Sequence, residues 1–437
     1  MVEATRPYDI ALFGATGFVG RLTADYLRDH APAGAVIALA GRSRERLAQV
    51  RENLGPAAAS WPVEIADAGD PEALARLAAR SRVVITTVGP YAKYGMPLVG
   101  ACAAAGTHYG DLTGEVLFAR TVIDTCDQAA QASGAKIVLS CGFDSVPSDL
   151  AVHLLAQAAA GKGTLGETQL RVRALKGGFS GGTIDSARHQ AKVTSTDPAL
   201  AKIAADPYAL SPDRDGEPPV RPRTGRSGGL RRLADRASAM TAMRRGADER
   251  WTAPFVMAAY NTRVVRRSNA LSGYAYGRTF RYSEVTDTGS GIRGAITAAA
   301  TAGTLGAVFF GLAHRPTRAV LDALLPKPGE GPSQHAQTNG YFVMDVESTT
   351  STGAQVSARV SAQQDPGYSG TAVMLGESAL SLAFDDLPPI TGVLTPAIAF
   401  GDALVQRLRQ QGFTLTAEVA HEAPAASAPT TPTDQVP

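Results

Sequence analysis

Three glycines near the start of the chain, Gly14, Gly17 and Gly20, stand three residues apart and directly follow the apolar run 10–13. A helical pattern of apolar residues comes next, so the glycines lie at a predicted strand-to-helix turn. This arrangement is typical of a site for the pyrophosphate of a dinucleotide. The first glycine permits the turn, the second lets the backbone approach the phosphates, and the third lets the helix lie close to the strand. The alternative is a purely structural glycine turn.

The residues after the second predicted strand, 36–40, indicate which dinucleotide fits. An NAD-specific site places Asp or Glu there to bind the ribose 2′-hydroxyl. This chain instead has Arg42, followed by Ser43, with Arg46 one helical turn further on. A guanidinium group can hold a 2′-phosphate through two charge-assisted hydrogen bonds, whereas a carboxylate would repel it. The sequence therefore predicts NADPH, and the alternative is a solvated helix start with ordinary surface arginines.

Further cofactor contacts are expected after the third and fourth strands. Asp67 follows the strand 61–66 and could reach the edge of the adenine. The strand 82–88 ends in Gly89-Pro90, where the main chain can pass close to the ribose or the nicotinamide. The candidate cofactor-binding residues are therefore Gly14, Thr16, Gly17, Phe18, Gly20, Arg42, Ser43, Arg46, Asp67, Val88, Gly89 and Pro90.

Two loops at the same sheet edge carry the candidate catalytic residues. The first, between strand 82–88 and a helix predicted from Pro97, contains Tyr91, Lys93 and Tyr94. These residues lie beside the expected cofactor crevice. The alternative is an ordinary loop with tyrosines at an interface.

The second loop follows the predicted strand 136–140 and contains Asp144 and Ser145, with Pro147 after them. Either Asp144 or Ser145 suits the N-cap of the next helix, and Pro147 suits its first turn. Both also lie at the cofactor edge of the sheet, which makes Ser145 a candidate catalytic residue. Capping and a role in the pocket both remain open.

The elements that position these residues predict an α/β protein. Strands and helices alternate through residues 1–160, which indicates a Rossmann domain built on a doubly wound parallel sheet. Residues 161–390 are expected to form an inserted second α/β domain with a mixed sheet, for substrate binding or dimerisation. Residues 391–420 should form a C-terminal helix that returns to the Rossmann domain. The Ala-, Pro- and Thr-rich residues 421–437 are expected to be disordered.

Two segments of the second domain stand out by composition. Residues 205–250 are rich in Pro, Gly and Arg, and we expect a mobile insertion with a basic second half. Residues 295–313 are uncharged over about the length of a membrane span, but they are mostly Ala, Gly and Thr. A buried or partly exposed helix is favoured for this stretch, and the alternatives are peripheral contact with a membrane or lipid and a true membrane span.

Composition limits the remaining functions. The 437 residues have a net charge of +2, which gives no general case for nucleic acid binding. The three cysteines have neither metal-ligand nor disulfide spacing, so no metal is expected and a reducing cytoplasm fits. Residues 1–9 do not form a signal peptide, because they carry charges and lack an apolar core.

Longer motifs throughout the chain are similar to one family. The chain resembles the saccharopine dehydrogenase-like superfamily, and most closely its trans-acting enoyl reductase branch. The resemblance covers nearly the whole chain, and its later motifs are the more specific ones. The matching stretches are Gly14-Ala-Thr-Gly17-Phe-Val-Gly20, Leu39-Ala-Gly-Arg42, Thr87-Val-Gly-Pro-Tyr91, Thr107-His-Tyr-Gly-Asp-Leu-Thr-Gly-Glu115, Ser140-Cys-Gly-Phe-Asp-Ser-Val-Pro147, Gly178-Phe-Ser-Gly-Gly-Thr183, Leu325-Pro-Lys-Pro-Gly-Glu330 and Asp365-Pro-Gly-Tyr-Ser-Gly370.

The resemblance implies a Rossmann domain with an inserted α/β domain and an NADPH-dependent oxidoreductase. It also implies reduction of an α,β-unsaturated acyl thioester on the carrier domain of a polyketide synthase, in the synthesis of phthiocerol and phenolphthiocerol envelope lipids. Such a reaction needs a hydrogen-bond donor for the thioester oxygen and a proton for the α-carbon. Tyr91, Lys93 and Tyr94 are the first candidates, and Ser145 with the backbone around Gly142 is the second.

Two other functions stay open. One is an NADP-dependent oxidoreductase acting on another carbonyl or imine, which would have a short cationic pocket rather than a long apolar one. The other is a non-catalytic nucleotide-binding protein at a membrane or lipid body, which a blocked nicotinamide pocket would favour. We expect a cytoplasmic protein, with peripheral contact at the plasma membrane and homodimer formation as further options.

Overall fold

The computed structural model describes residues 6–177, 181–219, 243–245, 248–313 and 339–421. Within these ranges the chain forms two seven-stranded sheets, which are joined by shared helices. Residues 178–180 and 325–330 of the family-matching stretches, and residues 422–437 of the expected disordered tail, lie outside the described residues.

The first sheet is entirely parallel and confirms the predicted doubly wound architecture. Its strands are β1 (Tyr8–Phe13), β2 (Ile37–Gly41), β3 (Val63–Ile65), β4 (Ser81–Thr86), β5 (His108–Gly110), β6 (Lys136–Val138) and β13 (Gly392–Leu394). Their order in space is β13-β6-β5-β4-β1-β2-β3. The chain therefore reverses its direction of growth at β1, between β2 and β4. In such sheets a crevice opens beyond the carboxyl ends of the strands at this switch point.

Helices connect the parallel strands and cover both faces of the sheet. They are α1 (Phe18–His30), α2 (Arg44–Asn53), α3 (Pro71–Arg80), α4 (Tyr91–Ala105), α5 (Val116–Ser133) and α6 (Val146–Ala158). The central strands are apolar on both faces, and Ile10, Leu12 and Ile85 are fully buried. Burial on both faces is what a parallel sheet between two helical layers requires. The carboxyl edge of the sheet is left for the loops that carry the candidate site.

The second sheet is mixed, as predicted. Its strands are β7 (Leu165–Lys176), β8 (Arg244–Arg245), β9 (Arg250–Pro254), β10 (Arg281–Ser290), β11 (Tyr341–Thr350), β12 (Gln355–Ala362) and β14 (Thr414–His421). The order in space is β14-β12-β11-β7-β10-β9-β8. Among the described strands of this second sheet, only β7 and β10 pair in parallel. Strands β11 and β12 form an antiparallel hairpin, and the alternating apolar residues of each strand are typical of a sheet with one buried face.

The remaining helices link the two sheets into one body. They are α7 (Gly181–Thr196), α8 (Pro198–Ala205), α9 (Ala258–Leu271), α10 (Gly291–Ala313), α11 (Ser369–Phe384), α12 (Pro396–Phe400) and α13 (Asp402–Gln410). Helix α6 packs on β11, β12 and β14, whereas α11 packs on α1 and β4. One apolar core therefore runs from Ile10 in the first sheet to Phe342 in the second.

The beginning of the predicted mobile insertion is instead part of the core. Tyr208 and Leu210 are buried. The guanidinium groups of Arg263, Arg266 and Arg267 on α9 donate to main-chain carbonyl oxygens of residues 204–210, at 2.7–2.9 Å. These hydrogen bonds satisfy carbonyl groups that a polar, Pro-rich segment would otherwise leave to water. Residues 220–242 of the insertion lie outside the described part of the chain.

The C-terminal region also differs from the expected single helix. Residues 392–394 first add β13 to the edge of the parallel sheet, beside β6. Two helices follow, and Gly401 separates them with a φ of +51°. The chain then continues as β14, which pairs with β12 at the edge of the second sheet. After α13 the chain therefore crosses from the parallel sheet to the second sheet, where the sequence predicts no strand.

The apolar stretch 295–313 lies in helix α10, which packs against β9 and β10. Ala298 and Ala302 are buried, whereas Ile292 and Ile296 are 81% and 64% exposed. No helix among the described residues is long and apolar enough to cross a membrane.

Candidate active site

The turn between β1 and α1 has the geometry expected for a pyrophosphate. Gly14 adopts a φ of +95°, and its N–H donates to the carbonyl oxygen of Ala40 on β2 at 2.9 Å. A Cβ on Gly20 would collide with the carbonyl group of Gly14, with 2.9 Å to its carbon. Helix α1 begins after Gly17, and no side chain caps it. Its first amide groups therefore remain available to an anionic ligand.

Thr16 and Phe18 flank this turn. The carbonyl oxygen of Thr16 accepts a hydrogen bond from the Arg21 guanidinium at 2.8 Å, which closes the turn against α1. The ring of Phe18 meets the ring of Tyr368 edge to face, with 5.0 Å between centroids. Since Tyr368 immediately precedes α11, the segment after β12 comes directly to the pyrophosphate turn.

The arginines after β2 fit the 2′-phosphate of NADP. Arg42 is exposed and lies two residues beyond Ala40, whose carbonyl oxygen is bonded to the pyrophosphate turn. Within the described residues, no hydrogen bond or ion pair involves the guanidinium group of Arg42 or of Arg46. Ser43 is already engaged, because its hydroxyl oxygen accepts from the Arg46 amide at 3.3 Å and its hydroxyl donates to Glu45 at 2.9 Å. Ser43 therefore caps α2, while the two arginines offer uncompensated positive charge.

The other predicted cofactor residues lie along the same edge. A carboxylate oxygen of Asp67 accepts from the Gly69 amide at 2.8 Å, and its side chain is exposed. The side chain of Val88 reaches the space beside Gly14. Gly89 is exposed and Pro90 is buried, so the main chain at Gly89 is open to a ligand.

The loop predicted after Pro90 is helical. Helix α4 begins at Tyr91, and Pro97 lies inside it. The buried hydroxyl of Tyr91 donates to the carbonyl oxygen of Thr86 and accepts from the Leu112 amide, each at 3.1 Å. Burial holds the pKa of Tyr91 well above its ordinary value. Its hydroxyl therefore joins the loops after β4 and β5 rather than standing free.

The two neighbouring candidates have no such constraint. Lys93 and Tyr94 are both exposed in the first turn of α4. The ammonium group of Lys93 lies 5.3 Å from the centroid of the Tyr94 ring, a cation–π contact. Their assignment as proton donors stays a prediction.

Glu115 is a residue of this edge whose role the sequence did not reveal. Its buried carboxylate accepts from the amides of Tyr91 and Ala92 at 2.8 and 2.9 Å, so it caps α4 from a distance in sequence. It also accepts from the hydroxyl of Ser186 on α7 at 2.6 Å. A negative charge at a helix N-terminus is favourable. Glu115 thereby holds α7 against the loops after β4 and β5.

Asp111 fastens the loops after β5 and β6 to each other. Its buried carboxylate accepts from the Ser140 amide at 2.8 Å, the Thr113 amide at 3.1 Å and the Tyr109 hydroxyl at 3.1 Å. Burial raises the pKa of Asp111 to about 7. Ser140 has a φ of +66°, and its hydroxyl lies 2.6 Å from the hydroxyl of Tyr260 on α9. This network connects the sheet edge with the second domain.

The side chains of the adjacent residues Ser145 and Asp144 have different surroundings. Ser145 is completely buried, and its hydroxyl donates to the Asn261 side chain at 3.3 Å. Asp144 is half-buried beside Gly114 and Met257: a Cβ built on Gly114 would lie 3.6 Å from its Oδ2 and 3.4 Å from Met257 Cε. Within the described residues, no hydrogen bond or ion pair involves the Asp144 carboxylate. Burial raises its pKa to about 6.

The second domain closes the crevice over these loops. The Thr371 hydroxyl on α11 accepts a hydrogen bond from the Phe143 amide at 3.1 Å. The ring of Phe143 packs edge to face on Phe342 of β11, with 4.9 Å between centroids. In a sheet of this order the adenosine half of a dinucleotide lies over β1, β2 and β3, and the nicotinamide half over β4, β5 and β6. The reacting end of the cofactor therefore belongs between the loops after β4–β6 and the second domain.

The amino-acid sequence is similar to those of known proteins. Residues 10–140 match the saccharopine dehydrogenase NADP binding domain. A trans-acting enoyl reductase of Mycobacterium ulcerans is 45% identical over 430 residues, covering 96% of this chain and 100% of its own. The chain belongs to the trans-acting enoyl reductase family. A second relative comes from Mycobacterium tuberculosis and is provisionally named a trans-acting enoyl reductase. It is 49% identical over 426 residues, which cover 95% of this chain and 98% of its own.

The family assignment agrees with the fold and with the cofactor. The apo saccharopine dehydrogenase (L-Glu forming) of Saccharomyces cerevisiae superposes with a TM-score of 0.51, covering 94% of this chain and 99% of its own, at 11% identity. This likeness shows the common fold. The chain is an NADP-binding oxidoreductase, as the glycines of the β1–α1 turn and Arg42 predict.

Proposed function

We propose that the protein is an NADPH-dependent enoyl reductase that reduces an α,β-unsaturated acyl thioester. The observation that carries this proposal is 45–49% identity over 95–96% of the chain with proteins named trans-acting enoyl reductase. Because the similarity includes both sheets, it extends beyond the common NADP-binding domain. The motif resemblance adds the source of the substrate, a carrier domain of a polyketide synthase in phthiocerol-type lipid synthesis.

The residues of the sheet edge have separate tasks in this reaction. The turn at Gly14 and Gly17 binds the pyrophosphate, and Arg42 binds the 2′-phosphate. Bound NADPH supplies a hydride for the β-carbon of the thioester. Negative charge then develops on the thioester oxygen, where positioned hydrogen-bond donors have their largest effect. The contacts of Phe143 with Thr371 and with Phe342 hold the second domain against this edge of the sheet.

A carrier domain is the proposed macromolecular partner. Its phosphopantetheine arm is anionic, and the exposed Lys93 places a positive charge at the edge of the parallel sheet. Opposite charges favour encounter and set orientation. Residues 221–245 are also rich in arginine.

The test uses the purified full chain with a series of trans-2-enoyl thioesters, as pantetheine thioesters and loaded on a carrier domain. NADPH oxidation is followed by absorbance, and the saturated product is identified by mass spectrometry. We expect reduction with NADPH, little with NADH, and a higher kcat/KM for the carrier-bound substrate. Tight NADPH binding without reduction of any enoyl thioester overturns the proposal. Consumption of NADPH with a carbonyl or imine substrate instead would assign the chain to another oxidoreductase reaction.

A further inference from the structure

The most unusual charged group of the crevice is the carboxyl of Asp144. It follows β6, on the nicotinamide side of the switch point. A Cβ built on Gly114 of the β5–α5 loop would lie 3.6 Å from its Oδ2 and 3.4 Å from Cε of Met257 in the second domain. The Asp144 side chain is half-buried, so part of it is accessible at this edge of the sheet.

A capping role does not account for this residue. Asp144 lies one position before Ser145, the N-cap of α6, and no side chain caps that helix at Ser145. The described residues provide the Asp144 carboxylate with no hydrogen bond and no ion pair. The other buried carboxylates nearby are different: Asp111 accepts three hydrogen bonds, and Asp149 accepts from the Ser268 hydroxyl and the Ala397 amide.

A buried carboxyl group without donors is costly in its charged form. Burial accordingly raises the pKa of Asp144 to about 6, so the group holds its proton far more readily than a surface aspartate. The titratable neighbours that sense its charge are the hydroxyls of Tyr91 and Tyr260, whose pKa values are raised further by it. A carboxyl group whose pKa is raised toward neutral pH at a cofactor site is suited to donating a proton.

We propose that Asp144 is the general acid that protonates the α-carbon of the substrate. The inference rests on the proposed enoyl reduction. As the hydride forms the new C–H bond at the β-carbon, the carbon–carbon π electrons move toward the carbonyl and give an enolate. The enolate α-carbon takes the proton from the Asp144 carboxyl group. The O–H bond breaks, a C–H bond forms, and the resulting carboxylate recovers a proton from solvent before the next turnover.

The other candidates are less suited to this step. The Tyr91 hydroxyl is bonded to two backbone groups, and Ser145 is completely buried against Asn261. Lys93 and Tyr94 are exposed, and no burial of these side chains prepares either for proton transfer. Asp144 alone among these five combines a half-buried side chain after β6 and a carboxylate without a hydrogen bond among the described residues with a pKa raised by burial.

The test compares Asp144→Asn with Asp144→Glu in the full chain. Loss of a positioned general acid lowers the rate by about 10²–10⁴-fold, so we expect kcat to fall by this factor in Asp144→Asn. Asp144→Glu retains a carboxyl group, so its kcat should be at least about tenfold higher than that of Asp144→Asn. NADPH affinity, measured by fluorescence, should stay within about twofold because Asp144 does not contact the phosphate sites. Asp149→Asn is the matched control: Asp149 lies on α6, five residues after Asp144, and its hydrogen bonds to Ser268 and Ala397 are structural, so any loss there arises through stability.

Two further readouts separate catalysis from structure. The kcat of the unaltered protein should fall with rising pH above the pKa of Asp144, because the acid acts in its protonated form, and this limb should vanish in Asp144→Asn. In D2O the unaltered protein should deliver deuterium to one face of the α-carbon, whereas Asp144→Asn should give both configurations. An active Asp144→Asn with an unchanged pH profile and a single configuration refutes the assignment. Failure of the unaltered protein to reduce any enoyl thioester refutes the proposed function instead.

Discussion

Replacing Gly17 with alanine separates the requirements of the cofactor from those of the fold. Gly17 has a φ of −72° and a ψ of 169°, a conformation that alanine adopts without strain. Its added Cβ would meet only the carbonyl oxygen of Gly14 at 3.3 Å and the Thr87 hydroxyl at 4.0 Å. We therefore expect the Gly17→Ala protein to fold, with a free energy of unfolding within about 1 kcal/mol of the original.

Cofactor binding should respond much more strongly. The new methyl group occupies the position where the pyrophosphate approaches the amides of α1. A hydrogen bond to a charged group contributes about 1.5–3 kcal/mol, so loss of one such bond weakens NADPH binding by about the same amount. That change is roughly 10-fold to 150-fold in Kd. The measurement is isothermal titration calorimetry with NADPH.

Thermal unfolding gives an independent reading of the same effect. NADPH at about 100 times the original Kd stabilises the folded state by about 2.7 kcal/mol, and a 100-fold weaker variant retains only about 0.4 kcal/mol of this. Gly20→Ala is the contrasting control, since its Cβ collides with the backbone of Gly14 and should disrupt the fold itself. NADPH binding by Gly17→Ala at the original affinity would refute the placement of the pyrophosphate.

Three other predictions concern charged groups. Arg42→Ala should weaken NADPH binding by about 10- to 100-fold and leave NADH binding unchanged, which parallel titrations would show; equal weakening of both would contradict the 2′-phosphate assignment. Arg267→Met should lower the free energy of unfolding by about 2–5 kcal/mol in urea, because the buried carbonyl groups of Leu210 and Val393 lose their donor; an unchanged midpoint would rule this out. Burial raises the pKa of Glu284 to about 7, so its contribution to stability is present at low pH and is lost as pH rises toward 7. Glu284→Gln should therefore gain stability relative to the original between pH 5 and pH 8, and parallel unfolding curves at the two pH values test this.

The parallel sheet and its cofactor turn could be predicted because their signals are local. The apolar run 10–13, the three glycines and Arg42 lie within one strand–helix–strand unit, and their chemistry depends on neighbours in sequence. The β11–β12 hairpin was equally accessible, since each strand buries one face and alternates accordingly.

Features that depend on contacts between residues far apart in the chain could not be predicted from the sequence. Glu115 caps a helix whose first residue is 24 positions earlier, and no local pattern announces such a pair. The composition of residues 206–211 is typical of a surface loop. Their burial could not be predicted, because the arginines that donate to their carbonyl groups lie more than fifty positions later in the chain. Strand β14 has few apolar residues, and its place at the sheet edge comes from pairing with β12.

The position of β13 has a consequence for how the protein is made. The edge of the parallel sheet at β6 is completed by residues 392–394, almost at the end of the described chain. During synthesis the ribosome therefore releases six strands of this sheet long before the seventh exists. An uncovered strand edge is a template for pairing with other chains. The nascent protein therefore passes through a stage in which β6 lacks its neighbour, and this stage ends only when residues 392–394 have emerged.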